Sequence, residues 1–232
     1  MTRPLDEPGR IDAVLFDFHC TLVDQGDPAV WLELAWTHAG RPGTARGALE
    51  PERFAALTDW VNRIWEHASA VDPRAERDLS PARHRQVYDA LVAALPGLAE
   101  DLARALYEVM LETWVPYDDA LPVLRELKRR GRKLALVSNV GLDVRSVLAR
   151  AGMTGLFDAV VLSFEAGAVK PGPEIFRRAL AALGTAPARA LMVGDNPHDD
   201  AGAALLGVRT LLLPRTRGPS HGLDLVLRLV GE

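Results

Sequence analysis

Ile11-Asp12-Ala13-Val14-Leu15-Phe16-Asp17-Phe18-His19-Cys20-Thr21-Leu22 is the stretch on which the reading of the fold turns. From Ile11 to Phe16 it is, Asp12 apart, an apolar run of strand length, and at Asp17 it becomes polar. A strand in a parallel sheet has this pattern, because helices cover both faces and leave no wet side for alternating polar residues. Four more runs of strand length share it: Leu134 to Val137, Ala159 to Leu162, Ala190 to Val193 and Val208 to Leu213. Between them, Asp119 to Arg130, Asp143 to Ala151, Pro173 to Leu183 and Asp199 to Leu206 have helical spacing. Asp or Pro stands near their starts, and Gly131, Gly152, Gly184 and Gly207 just past their ends, where glycine closes a helix at least cost. The alternation predicts an α/β fold, a doubly wound parallel Rossmann-like sheet with right-handed crossovers.

One stretch interrupts the alternation. From Asp24 to Trp114 the chain shows helical patterns (Pro51 to Ala70, Pro81 to Leu95, Glu100 to Trp114) and no convincing strand. The expectation is an inserted all-helical domain over 24–114, with 1–23 and 115–232 forming the core. At 232 residues and 48% hydrophobic, the chain can fill both. Its 27 Lys+Arg against 31 Asp+Glu give a formal charge of -4, which argues against nucleic acid or an anionic membrane as the main partner. The expected partner is a small molecule, and the expected assembly a monomer or homodimer. Met1 to Pro8 has no apolar segment, and no apolar run approaches the roughly 20 residues of a membrane span, so a cytoplasmic protein is expected. The single Cys20 excludes an intramolecular disulfide.

In an open parallel sheet the ligand site lies beyond the carboxyl ends of the strands. Those ends read Asp17-Phe18-His19-Cys20-Thr21, Val137-Ser138-Asn139 and Val193-Gly194-Asp195-Asn196, and the third run is followed by Lys170-Pro171-Gly172-Pro173. Polar residues commonly end strands because a turn follows. Here, however, they comprise two carboxylates, a hydroxyl, an amide and one of only three lysines (Lys128, Lys133, Lys170) in an arginine-rich chain. Phosphoryl transfer needs that set: carboxylate oxygens hold a hard cation, and cation and ammonium offset the phosphate charge while the hydroxyl orients it.

Taken together, Asp17-Phe18-His19-Cys20-Thr21-Leu22, Leu136-Val137-Ser138-Asn139, Val169-Lys170-Pro171-Gly172-Pro173 and Val193-Gly194-Asp195-Asn196-Pro197-His198-Asp199-Asp200 resemble the four ordered motifs of the haloacid dehalogenase-like hydrolases. The insertion after the first motif resembles the helical C1 cap of the phosphoglycolate phosphatase and haloacid dehalogenase branch. The resemblance implies a Mg²⁺-dependent phosphatase acting on a small organic phosphomonoester, with Asp17 attacking phosphorus to form an aspartyl-phosphate. It implies Mg²⁺ held by Asp17, the backbone carbonyl of His19, and Asp195, with Asp200 supporting directly or through water. Thr21, Ser138 and Asn139 would bind the phosphoryl group, and Lys170 would bridge nucleophile and phosphate.

Two residues depart from the family pattern. His19 stands where phosphatases of the family usually carry a second Asp, the general acid/base. Imidazole, with a reference pKa of about 6.5, can serve both duties. The alternatives are a slow enzyme, different chemistry, or a protein that keeps the site for binding only. Cys20 stands where the family usually has Gly, a strained choice if the backbone there needs positive φ.

The rival readings are a 2-haloacid dehalogenase, which needs no metal, and a binding or regulatory protein. Asp195 and Asp200 count against the first. A phosphonate hydrolase working through a cap lysine is not expected, since 24–114 contains no lysine. Specificity is expected from the insertion, which carries all five tryptophans (Trp31, Trp36, Trp60, Trp65, Trp114), most of them in helix packing. His38, Arg41, Arg63 and His67 are polar candidates there, with a solvated helix face as their ordinary role.

Overall fold

The computed structural model describes residues 9–216 and 218–231, so the reading made on Met1 to Pro8 lies outside the described residues. In chain order the strands are β1 (Ala13–Phe16), β2 (Val23–Asp24), β3 (Val115–Pro116), β4 (Lys133–Ser138), β5 (Ala159–Leu162), β6 (Ala190–Gly194) and β7 (Arg209–Leu212). Five form one sheet in the order β5-β4-β1-β6-β7, every neighbouring pair parallel, while β2 and β3 make a two-stranded ribbon. The protein thus has the doubly wound α/β sheet the apolar runs predict.

All four residues of β1 are fully buried, as expected of a central strand covered on both faces. Ile175, Phe176, Ala179, Leu180 and Leu183 of the helix Pro173–Leu183 cover one face, packing with Ala13, Leu15, Ala135, Val137 and Met192. Each large apolar side chain so buried contributes on the order of 2 kcal/mol. Strand order reverses at β1, where Phe16 pairs with both Leu136 of β4 and Val193 of β6. That register sets Asp17 level with Val137 and Gly194, one residue before Ser138 and Asp195. Three polar strand ends therefore meet at the switch point.

The chain divides into two compact units: Met1–Asp24, Pro116–Asn139 and Leu148–Glu232 form one, and Gln25–Val115 with Val140–Val147 form the other. The second is helical, built on Pro28–His38, Ala45–Ala48, Pro51–Asn62, Ile64–Val71, Pro81–Ala93 and Glu100–Glu108. Asp27 and Ser80 cap two of these helices by accepting from the amides of Ala29 and Arg83, relieving donors that a helix start leaves unpaired. Trp31, Leu32, Phe54, Leu57, Tyr88 and Leu106 form its core, and Trp31 donates its indole N–H to the Leu106 carbonyl at 2.8 Å. Trp36 and Trp114 are also buried, while Trp60 and Trp65 are partly buried against the same core.

The segment Val140–Val147 joins this unit because Gly141 has no side chain. A Cβ there would lie 2.2 Å from the Arg77 carbonyl and 2.7 Å from His84 Cβ.

Four helices differ from their sequence spacing. Glu100 to Trp114 is α-helical only over Glu100–Glu108 and ends in a 3-10 turn over Met110–Thr113. Pro51 to Ala70 is not continuous but turns at Arg63 (φ -113, ψ 15), which keeps both Val61 and Ile64 in the core while Arg63 stays outside near Asp59 and Glu66. Asp143 to Ala151 is helical only over Arg145–Arg150, since Asp143 Oδ1 folds back to accept from the Arg145 amide at 3.0 Å. Asp199 to Leu206 is a 3-10 helix, Asp200–Leu206. Gly202 packs there directly on Pro171, where a Cβ would meet the Pro171 carbonyl at 2.5 Å. No helix of the described residues is long and apolar enough to cross a membrane.

Candidate active site

Asp17 leaves β1 with its amide bonded to the Val193 carbonyl at 2.9 Å, so the first carboxylate is fixed to the end of β6. The chain then turns back sharply: Leu22 N and Val23 N both reach the Phe18 carbonyl, and Cys20 N reaches the Val23 carbonyl at 2.7 Å. The turn requires φ +63 at Cys20, a left-handed conformation unfavourable for any residue with a Cβ. Cysteine is therefore strained at the position where glycine would be at ease. Burial pushes its thiol up to about 12, so it is no nucleophile at neutral pH.

The turn presents Thr21 to the carboxylates: its hydroxyl lies 3.1 Å from Asp17 Oδ2 and 3.4 Å from Asp195 Oδ1. Lys170 Nζ lies 2.6 Å from Asp17 Oδ1 and 2.6 Å from Asp200 Oδ1. Asn139 holds that lysine in place, its side chain accepting from the Lys170 amide at 2.8 Å and donating to the Lys170 carbonyl at 2.9 Å. Both ends of the Asn139 amide are thus engaged with Lys170 main chain. Ser138 ends β4, buried, beside it. Asp200 is pinned by the Asn196 amide at 2.9 Å, and Gly194 makes room for it.

One expected consequence is mutational. A Cβ on Gly194 would stand 2.0 Å from Asp200 Oδ2, so Gly194→Ala must displace that carboxylate. A shift of about 1 Å at a reacting centre costs on the order of 10²-fold in rate. A steady-state kcat for Gly194→Ala equal to that of the unmodified protein would show that the Asp200 position is not needed.

Asp17, Asp195 and Asp200 each offer an oxygen, and these atoms all lie within 4.8 Å of one another. An all-oxygen, anionic donor set of this size suits a hard divalent cation. The electrostatics agree. Burial raises the pKa of Asp17 and of Asp200, and the neighbouring carboxylates raise them further, against the pull of Lys170. Lys170, although buried, is held protonated by those two carboxylates. Two cations, the Lys170 ammonium and an arginine, Arg215, paired with Asp195, stand against three carboxylates, and the surplus negative charge is what a divalent ion would offset.

His19 is partly buried, with Nδ1 3.6 Å from Cys20 Sγ. Burial, and then the charge of Arg215, lower its pKa to about 4, leaving a neutral imidazole at physiological pH. Arg215 itself donates from Nε to Asp195 Oδ2 at 2.5 Å. In the sequence it is one arginine of an Arg/Gly/Pro stretch after Leu213 and carries no motif of its own. The signal that finds it is the one applied to the other strands: it lies just beyond the carboxyl end of β7, beside β6. In the helical unit, Arg41 is committed to Asp101, His38 to Glu108, and Arg63 lies near Asp59 and Glu66, as on an ordinary solvated helix face.

Fold and site together define a doubly wound α/β protein with an acidic centre at the switch point of its sheet. Residues 11–207 match the model of the haloacid dehalogenase-like hydrolases, and the chain belongs to that family. It is 37% identical over 203 residues to the pyrophosphatase PpaX of Bacillus cereus (strain AH820), covering 87% of this chain and 82% of that protein. It is 41% identical over 143 residues to a phosphoserine phosphatase of Thermus thermophilus, covering 60% of this chain. That match spans little more than half, 57%, of the relative's length. Among solved structures, an L-2-haloacid dehalogenase from Xanthobacter autotrophicus is similar with a TM-score of 0.63 at 26% identity, covering 95% of this chain and 84% of that one.

Proposed function

We propose that the protein is a Mg²⁺-dependent phosphatase of small organic phosphates that works through an aspartyl-phosphate on Asp17. The observation that carries this reading is Lys170 bridging Asp17 and Asp200 within a cluster of three carboxylates. A metal-free displacement at carbon has little use for a further convergent carboxylate such as Asp195. The named phosphatase relatives support the same class.

In this mechanism Asp17, Asp195 and the His19 carbonyl, with Asp200 directly or through water, would hold the ion, which would supply charge neutralisation for the transferring phosphoryl group. Lys170 and the Thr21 hydroxyl fix the two oxygens of Asp17, so the carboxylate is oriented before substrate arrives. One Asp17 oxygen forms a bond to phosphorus as the bond to the leaving oxygen breaks. The leaving oxygen takes its proton from solvent water, since a neutral His19 has none to give, and a second water then cleaves the acyl phosphate and restores the carboxylate. Ser138 binds the phosphoryl oxygens. Asn139 serves through Lys170, whose main chain it holds. His19, neutral in its surroundings, takes the proton from the attacking water. The helical unit acts as the cap that selects substrate, with most of its tryptophans serving its own packing.

The test is phosphate release from a panel of phosphomonoesters with Mg²⁺ and with EDTA, alongside halide release from 2-chloro acids. Metal-dependent phosphate release supports the reading, and halide release that survives EDTA replaces it with a dehalogenase. For His19, substitution by Asp is expected to retain or raise activity and substitution by Ala to lower it by about 10²-fold, the usual worth of a general base. Equal rates for the His and Ala proteins would remove His19 from the mechanism.

A further inference from the structure

Arg215 is the charged group of this site that the transfer step leaves unused. Its loop is fixed on both sides. Leu213 N bonds to the Gly194 carbonyl at 2.9 Å, His221 Nε2 pairs with the Pro214 carbonyl at 3.2 Å, and the Tyr117 hydroxyl donates to the Thr216 carbonyl at 3.3 Å. His221 is itself held, with Nδ1 3.0 Å from the Thr21 carbonyl and its ring stacked on Tyr117 at 4.7 Å. Arg215 is therefore not an arm swinging free on the surface.

The guanidinium is divided in its exposure. Nε is anchored on Asp195, whose side chain is 3% exposed, while the Arg215 side chain is 65% exposed. Among the described residues its two terminal amino groups make no hydrogen bond, so a planar fork with a fixed root stays open to solvent. Asp195 Oδ1 lies 3.4 Å from the Thr21 hydroxyl, which in turn meets Asp17 Oδ2 at 3.1 Å, so the anchored guanidinium stands at the solvent edge of the nucleophile's cluster. Lys170 sits on the buried side, 3% exposed, and already serves the transferred group. A fixed, exposed fork of donors is an oxyanion receptor.

We infer that Arg215 binds a second anionic group of the substrate, carried on the leaving portion, so that the preferred substrates are phosphate esters or anhydrides bearing a further carboxylate or phosphate. The inference rests on the phosphatase reading and narrows it to a substrate class.

The test compares phosphoglycolate with hydroxyethyl phosphate, matched in size but not in charge, and pyrophosphate with methyl phosphate, on the unmodified protein and on Arg215→Gln and Arg215→Lys. Any effect that passes through Asp195 acts on both members of a pair and cancels in the ratio of their kcat/KM values. That ratio is expected to fall about 10- to 100-fold in Arg215→Gln, the worth of a charge-assisted hydrogen-bonded pair, with Arg215→Lys between. A fall in the carboxylate pair alone or the phosphate pair alone identifies which oxyanion is taken. An unchanged ratio in both pairs overturns the inference and leaves Arg215 as a support for Asp195. If the unmodified protein releases phosphate from no substrate, the phosphatase reading fails. Calorimetric binding of phosphoglycolate to Asp17→Asn, with and without Arg215→Gln, then decides this inference separately: weakening by Arg215→Gln sustains it, and equal binding ends it.

Discussion

Asp17→Asn is expected to lower kcat by about four orders of magnitude or more, the scale on which loss of a nucleophile acts, without unfolding the protein. Asparagine matches the carboxylate in shape but is a far poorer nucleophile, so no acyl phosphate can form. The fold should survive because burial and Asp195 both disfavour the charged form of Asp17, while Lys170 keeps Asp200 as a partner. Removing one of three convergent carboxylates relieves repulsion, and the metal-free protein should melt at the same temperature or higher. Single-turnover phosphate release and thermal melting, measured on the same preparation, separate chemistry from stability. Residual turnover within tenfold of the unmodified protein would place the nucleophile elsewhere.

Lys170→Met is expected to damage stability as well as rate. The substitution leaves Asp17 and Asp200 facing each other without their shared ammonium, 2.6 Å from each in the native site. Breaking a buried ion pair from one side costs about 3–5 kcal/mol. The pH dependence follows from the sign of the shifts. Both carboxylates already have raised pKa values, and loss of Lys170 raises them further above their values in the unfolded chain. A carboxylate with a raised folded pKa destabilises the fold at neutral pH, and the penalty shrinks as pH falls through that pKa. The stability deficit of Lys170→Met should therefore be largest near pH 7, smaller near pH 5, and reduced by added Mg²⁺. Denaturant unfolding at the two pH values measures it, and a deficit that grows on acidification would contradict the assignment.

Much of this site is legible in the chain because strand ends in a parallel sheet are points of convergence. The apolar runs before Asp17, Ser138 and Asp195 give the strands, and their parallel order brings those residues to one edge. Lys170 is legible by rarity, one of three lysines. What the sequence conceals is tertiary. Asn139 reads as a phosphate ligand from its place after Ser138, yet its amide is engaged with Lys170, a contact 31 residues away that no local spacing encodes. His19 reads as a group titrating near neutrality, and burial together with Arg215 moves it to about 4. Both effects belong to the folded surroundings rather than to the residue. Asp199 to Leu206 has helical periodicity, but the close contact between Gly202 and Pro171 tightens the turn. Gly141 looks like any loop glycine until Arg77 and His84 are seen against it.

The most direct measurement is calorimetric titration of Mg²⁺ into the unmodified protein and into Asp195→Asn. One ion per chain is expected, with an affinity that falls about 10-fold or more, or binding that disappears, when a direct oxygen ligand is lost. Equal binding by the two proteins, or no binding by either while phosphate is still released in EDTA, would contradict a cation held between Asp17, Asp195 and Asp200.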